Sequence, residues 1–360
     1  MNNTNVTKLL GRLLESKAET IKLGCDIHAR ELAVSVQGDD ARPLRPQLMN
    51  AGQLLAVVRG LVQAGRAVHV CYETGPCGYG LYDAVVAAGG HAYVIVAEAL
   101  GDGRQQKTDR LDAAALCDKL DRYLRGNPKA MSPVRVPSVV ERQRRGVARL
   151  REQCKHSRHQ WEARGRSLLL FHGVHVTGRW WSRSRWLALE PTLAPWLIEQ
   201  LGVVRQTILQ LDEQEKVLRV KLEAEAPKAL PKAVGALTWV LLLREICDWG
   251  RFKNRRQVSS YTGLCPGVHQ SGMRRRDGSI NRYGNPRVRA LLIELVWRLA
   301  RWQPDYPPVR ALVAGVARGA ARRKCAVAAA RRLAVDLWRL ATGQTTPEKL
   351  RLIVTPQMFA

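Results

Sequence analysis

Four carboxylates in this chain have the types and spacing to hold divalent metal against a phosphate. Asp26 closes an apolar run at residues 21–27, and Glu73 closes a second at residues 67–73. Asp109 and Asp112 stand three apart in a helix-forming stretch, so they share one helix face. Carboxylates at strand ends and on one adjacent helix converge at one edge of a sheet, where they repel unless a cation sits between them. Mg²⁺ favours such oxygen ligands, and two such ions serve both the attacking and leaving oxygens of phosphoryl transfer. Mn²⁺ suits the same donors. Each acid also has an ordinary reading: Asp26 as a turn cap, Asp109 as a helix N-terminal charge, Asp112 as a partner to Arg110 or Lys119.

The elements needed to position them are legible. Residues 21–27 and 31–36 form a pair of strands, residues 51–65 a helix ending on Gly65, and residues 67–73 another strand. Residues 78–88 form a second helix, 91–97 a third clear strand, and 108–124 a strong helix with Thr108 as its cap. A weak extended segment near Leu44 supplies a further strand. This alternation predicts an α/β layer fold. Residues 131–140, with two prolines, read as a linker into Arg-rich helical sequence. From about Trp196, apolar residues Leu197, Leu201, Val204, Ile208, Leu211, Leu218 and Leu222 alternate steps of four and three, interrupted at Glu215. That pattern predicts a coiled coil, or a bundle helix packed within its own chain. Residues 226–238 mark a second boundary, and the remainder reads as helical around a Gly-rich loop at 263–284. The last residues read as a loosely attached end.

The chain of 360 residues carries a formal net charge of +27. An excess that large favours a polyanionic partner, nucleic acid above all. No apolar run spans a bilayer and the N-terminus lacks a signal-peptide core, so a soluble cytoplasmic protein without membrane contact is expected. The 8 cysteines form no C-x-x-C pair and read as reduced thiols. Trp180, Trp181 and Trp186 lie among Arg179, Arg183 and Arg185. Aromatics interleaved with arginine either stack on unpaired bases or form a core cluster at a helix end.

The segments GCDIHARELAVSV, YETGPCGYGLYDAV and KTDRLDA resemble the three N-terminal motifs of the DEDD transposases, the insertion-sequence family called IS-one-ten with its eleven-eleven branch. LLLREICDWGRFKNRRQVSSYTGLCPGVHQSG and RYGNPRVRALLIELVW resemble the family's second domain with its Ser-Gly motif. The likeness runs from about Leu23 to Ala341. It implies an N-terminal RNase H-like (RuvC-like) domain at residues 20–130, and a linker and coiled coil at 131–225. A mainly helical C-terminal transposase domain follows at 226–345, then a tail at 346–360. It implies a bacterial, nucleoid-associated transposase that cuts and rejoins donor and target DNA. Asp26, Glu73, Asp109 and Asp112 would bind Mg²⁺ or Mn²⁺, and Ser271 would attack a DNA phosphate to form a covalent phosphoserine link. It further implies guidance by a noncoding RNA of the element, and a homodimer or homotetramer in which metal site and serine meet across subunits.

A serine hydroxyl is a weak nucleophile and needs a base or metal to activate it. Gly272 permits close approach of a phosphate, and Arg274, Arg275 and Arg276 follow to neutralise its charge. Arg282 and Arg287 extend this set of nucleic-acid contacts. Two departures from the family pattern stand out: the turn PKAVGA keeps only Gly235 of two usual glycines, and AEALGDGRQQ before KTDRLDA lacks the usual prolines. A RuvC-like junction nuclease, in which the acids hydrolyse DNA and Ser271 is idle, is the main competing reading.

Overall fold

A computed structural model describes residues 3–39, 41–75, 77–96, 109–271, 274–315 and 318–356. The chain divides into two compact units, Met1–Val136 and Pro137–Ala360.

The first unit runs α1 (Asn3–Glu15), β1 (Thr20–Ile27), β2 (Leu32–Gly38), β3 (Gln47–Met49), α2 (Ala51–Gln63), β4 (Ala67–Glu73), α3 (Gly80–Ala87), β5 (His91–Ile95) and α4 (Asp109–Leu124). Its five-stranded sheet has the order β3-β2-β1-β4-β5. β1 pairs antiparallel with β2 and parallel with β4, and β4 pairs parallel with β5. Strand alternation divides the residues between two faces. Ile21, Leu23, Cys25, Val68, Val70 and Tyr72 are buried in one core with Leu54, Val58 and Leu61 of α2. Cys71 turns the other way and packs on Leu116 and Leu120 of α4. Helix α2 starts where the sequence predicts it, at a reciprocal Asn50–Gln53 capping box. Helix α1 was not expected; Val6, Leu9 and Leu13 recur at helical spacing and are buried against the core. The predicted linker begins as sheet edge, with Val134 N–H donating to the Val94 carbonyl at 2.7 Å.

The second unit contains α5 (Val139–Phe171), α6 (Arg183–Leu189), α7 (Pro195–Glu223), β6 (Ala229–Pro231), α8 (Ala236–Ile246) and α9 (Arg255–Thr262). It continues with β7 (Pro266–Ser271), β8 (Arg274–Ile280), α10 (Pro286–Trp302), α11 (Arg310–Val313), α12 (Gly319–Ala341) and β9 (Val354–Pro356). Helices α5 and α7 lie antiparallel: Ala148 packs with Leu222 at one end, Leu169 with Leu197 and Leu201 at the other. The heptad residues Leu197, Leu201, Ile208 and Leu222 are thus buried inside this chain. Arg158 crosses the pair to Asp212 and Glu215. Leu292, Leu295 and Leu299 of α10 and Leu333 and Leu337 of α12 centre the remaining core.

Two expectations are corrected. The Gly-rich loop at 263–284 contains an antiparallel β7–β8 hairpin. The tail is tied in as far as residue 356: β9 pairs with β6, Leu352 is buried, and Ile353 N–H donates to Gln303 Oε1 at 2.7 Å. Among the described residues, no helix is long and apolar enough to cross a membrane.

Candidate active site

Asp26 and Glu73 lie at the C-terminal ends of neighbouring parallel strands. Their register pairs Cys25 with Tyr72, so the two acids follow directly on paired residues. Alternation puts Asp26 on the face of Lys22 and Gly24, and Glu73 on the face of His69 and Cys71. Both therefore belong to the side of the sheet that carries α4. Helix α4 runs against β1 in the opposite sense. Lys22 Nζ bonds Asp121 at 2.5 Å, and Cys117 Sγ donates to the Lys22 carbonyl at 3.4 Å. Further along, Gly24 lies under Ala113 and Cys117. Continuing that direction carries the first turn of α4, with Asp109 and Asp112, to the end of β1 where Asp26 stands.

Gly24 makes this approach possible. A Cβ there would sit 2.3 Å from the Ala113 carbonyl oxygen and 2.4 Å from Cys117 N. Lys22 and Asp121 are both buried, and Arg125 also holds Asp121, at 2.9 Å. Burial alone would raise the Asp121 pKa, but its hydrogen bonds to Lys22 and Arg125 hold it below the usual carboxylate value.

The donor set at this edge is all oxygen. Asp26 and Glu73 are half-buried, as is Asp112; the Asp109 side chain lies outside the described residues. Such hard donors fit Mg²⁺ or Mn²⁺ better than a soft metal. Among the described residues no three His, Cys, Asp or Glu side chains form a ready-made metal cluster. His28 Nε2 stands 3.4 Å from Asp26 Oδ2.

In the second unit, Ser271 ends β7 and pairs in register with Arg274, the first residue of β8. It therefore lies at the tip of the hairpin, with Gln270 opposite Arg275 and His269 opposite Arg276. The side chains of Ser271 and of Arg274, Arg275 and Arg276 lie outside the described residues. At the hairpin's base two glycines back onto each other. Gly263 has φ +63°, and a Cβ on Gly284 would meet Gly263 N at 2.2 Å. Asn281 N–H donates to the Cys265 carbonyl, and Asn285 N–H to that of Tyr261.

Beneath this base is a buried acid. Glu245 accepts two hydrogen bonds from Arg149, at 3.0 and 3.1 Å, and one from Asn285 Nδ2 at 2.8 Å. Burial pushes its pKa up, but Arg149, Asn285 and Arg145 outweigh that and hold it below the ordinary value. Tyr261 Oη donates to the Glu245 carbonyl, and Asn285 caps α10 by accepting from Arg287 and Val288 N–H. Residues from α5, α8, α9 and α10 thus meet where the hairpin is rooted.

Residues 231–310, which include this acid, the hairpin and Asn285, match the transposase family described as IS116/IS110/IS902. The y4qE protein of Sinorhizobium fredii, named as a transposase, is 32% identical over 249 residues, 67% of this chain and 60% of its own length. A second protein of that organism so named, y4rJ, is 28% identical over 262 residues, 65% of this chain and 66% of its own length. The transposase for insertion sequence element IS1111A of Coxiella burnetii is 30% identical over 137 residues, 38% of this chain and 37% of its own length. Residues 231–310 are therefore similar to the transposase domain of the IS116/IS110/IS902 family.

The structure separates the sequence-predicted residues into groups. Asp26 and Glu73 end neighbouring strands on the face that carries α4, with the N-terminal turn of α4 directed toward that end, and Ser271 stands at a hairpin tip in the second unit. The tryptophans require a correction. Trp180, Trp181 and Trp186 are 1%, 3% and 6% exposed in a cluster with Leu169, Leu197 and Leu201, so none offers a face to a base. Gly165 of α5 makes the room: a Cβ there would lie 2.1 Å from the Trp180 ring. Arg179, Arg183 and Arg185 remain exposed around them. Arg179 also lies over the Trp181 ring, 5.7 Å from its centroid, and bonds Asp212. Arg282 is exposed, whereas Arg287 is half-buried and paired with Glu152.

Sequence reasoning missed the residues that position the others: Gly24, Lys22 and Asp121 in the first unit, and Glu245, Tyr261 and Asn285 in the second. A signal existed for Glu245. It falls beside Leu242 and Ile246 on the apolar face of α8, where an acid is retained only if partnered.

Proposed function

We propose that this chain is a DNA recombinase of a bacterial insertion sequence, cutting and rejoining strands through metal-assisted phosphoryl transfer with Ser271 as nucleophile. The family match supports a transposase. The observation that carries the chemistry is the register that brings Asp26 beside Glu73 on the α4 face of the sheet. The strand order and the mix of parallel and antiparallel pairs are those expected of an RNase H-like domain, which the sequence resemblance implies. Asp26, Glu73, Asp109 and Asp112 would hold the divalent cation. Such a cation, when bound, neutralises charge on the phosphate and favours departure of the sugar oxygen.

Ser271 would form the Ser–O–P bond as the phosphate's bond to one sugar oxygen breaks, its hydroxyl proton passing to solvent and the released sugar oxygen taking one up to leave as a hydroxyl. Arg274, Arg275 and Arg276 follow it directly and would offset the phosphate's charge. The net charge of +27 supports backbone binding by DNA and by the noncoding guide RNA that the resemblance implies. A dimer or tetramer fits the division of the two halves between units. The chain spans 60% and 66% of the lengths of its first two relatives.

The test is strand exchange with Mg²⁺, element-end DNA, target DNA and the element's flanking noncoding RNA, resolved on denaturing gels. Wild type is expected to give a covalent protein–DNA band that Ser271→Ala and Asp26→Asn both abolish. Nicking that needs Asp26 but not Ser271, with no such band, overturns the serine chemistry and leaves a RuvC-like nuclease.

A further inference from the structure

Past the ends of β1 and β4, on the α2–α3 side of the sheet and round the end of β1 from the acids, lies a cavity of about 220 Å³ walled in part by residues 27–30, Cys77 and Gly78. Ile27, Leu32, Leu55 of α2 and Leu81 of α3 supply apolar surface; His28 and Arg30 supply the polar groups. His28 belongs to both places, lining the cavity while standing 3.4 Å from Asp26. We propose that this cavity receives one nucleobase of the DNA strand being cut, the base next to the phosphate held at the carboxylate edge.

The inference rests on the reading that this edge acts on DNA, and it adds where the substrate's neighbouring base goes. The volume lies below the roughly 300–1,000 Å³ of sites for drug-sized ligands and suits a single planar ring system. Apolar walls take the faces of a base, while an imidazole and a guanidinium can reach its edge or its phosphate. The position also fits, since ligands of open α/β sheets bind outside the carboxyl ends of the strands. Base contacts here would add sequence preference to an otherwise backbone-driven interaction.

Two residues lining the cavity allow it to be filled. A Cβ on Gly80 meets nothing within 4 Å, so Gly80→Leu is accommodated without a backbone clash. Ala84→Phe is a second, independent filling from α3. The experiment uses full-length chain carrying Ser271→Ala, bound in Ca²⁺ to element-end duplexes with 2-aminopurine at successive positions across the cut. One position flanking the cut is expected to brighten severalfold, as an unstacked base does, and both filled variants to lose that rise. An abasic site there is expected to weaken binding by the parent about tenfold and to leave the filled variants unchanged. No brightening at any position, or a rise that survives both fillings, overturns the proposal. So does a rise seen with the guide RNA and not with DNA. Because Ser271 is absent from this assay, a missing covalent band in wild type defeats the serine reading without touching this result.

Discussion

His69 shows how one side chain in the first sheet sets a pH limit. Burial, then the neighbouring His91 and Lys22 charges, lowers its pKa from 6.5 to about 4. Its ring stacks on His91 at 4.7 Å, and Nδ1 lies 3.2 Å from the Tyr93 hydroxyl. The folded chain therefore keeps His69 neutral where the unfolded chain already takes up a proton. Stability from this group is complete above pH 6.5 and is lost as the pH falls towards 4. The ring is only partly buried, so the loss is about 1–2 kcal/mol. Denaturant titrations between pH 7 and 4 are expected to show that decline, and His69→Phe to flatten it. An unchanged slope in the variant would assign the acid sensitivity elsewhere.

Among the elements, the β7–β8 hairpin depends most on a few contacts at its root. Asn285 does two jobs there, capping α10 and donating to buried Glu245. Asn285→Ala is expected to cost about 2 kcal/mol, from the lost cap and from a weaker hold on the buried carboxylate. Asn285→Asp keeps the cap but sets two carboxylates together, so its stability should improve as the pH is lowered towards the carboxylate range. Thermal melts of both variants across pH check this; equal losses at every pH would show that only the cap matters. This root also marks where sequence reading succeeds and where it stops. Strands β1 and β4 were legible as short, nearly continuous apolar runs because both faces of the sheet are covered, and helices α2 and α7 because burying one face imposes apolar spacing near 3.6 residues. The hairpin PGVHQS…RRRDGSI carries no apolar alternation, so its glycines and charges read as a loop. Tryptophans flanked by arginine read the same whether they face a base or a core; Gly165, distant in sequence, decides between the two. The carboxylates could be picked out one by one, but the seating of α4 on β1 depends on Gly24 and the Lys22–Asp121 pair, contacts that span about a hundred residues.

For the molecule as a whole, the carboxylates and the serine fall in separate compact units. If each reaction centre takes its acids from one copy and its serine from another, two inactive variants should rescue each other. Mixing equal amounts of Asp26→Asn and Ser271→Ala chains after co-refolding is expected to restore about a quarter of the wild-type covalent band, the share of centres with both intact halves in a randomly mixed dimer. No recovery would mean that each copy completes its own centre. The seat of α4 limits how such a centre can be altered. With no side chain at Gly24, the backbone of α4 rests directly on β1, and even the methyl of Gly24→Ala would push the helix off the strand. On the proposed metal reading, the span between the acids of β1 and those of α4 is thus set by a side chain that is missing, and one added methyl would widen it.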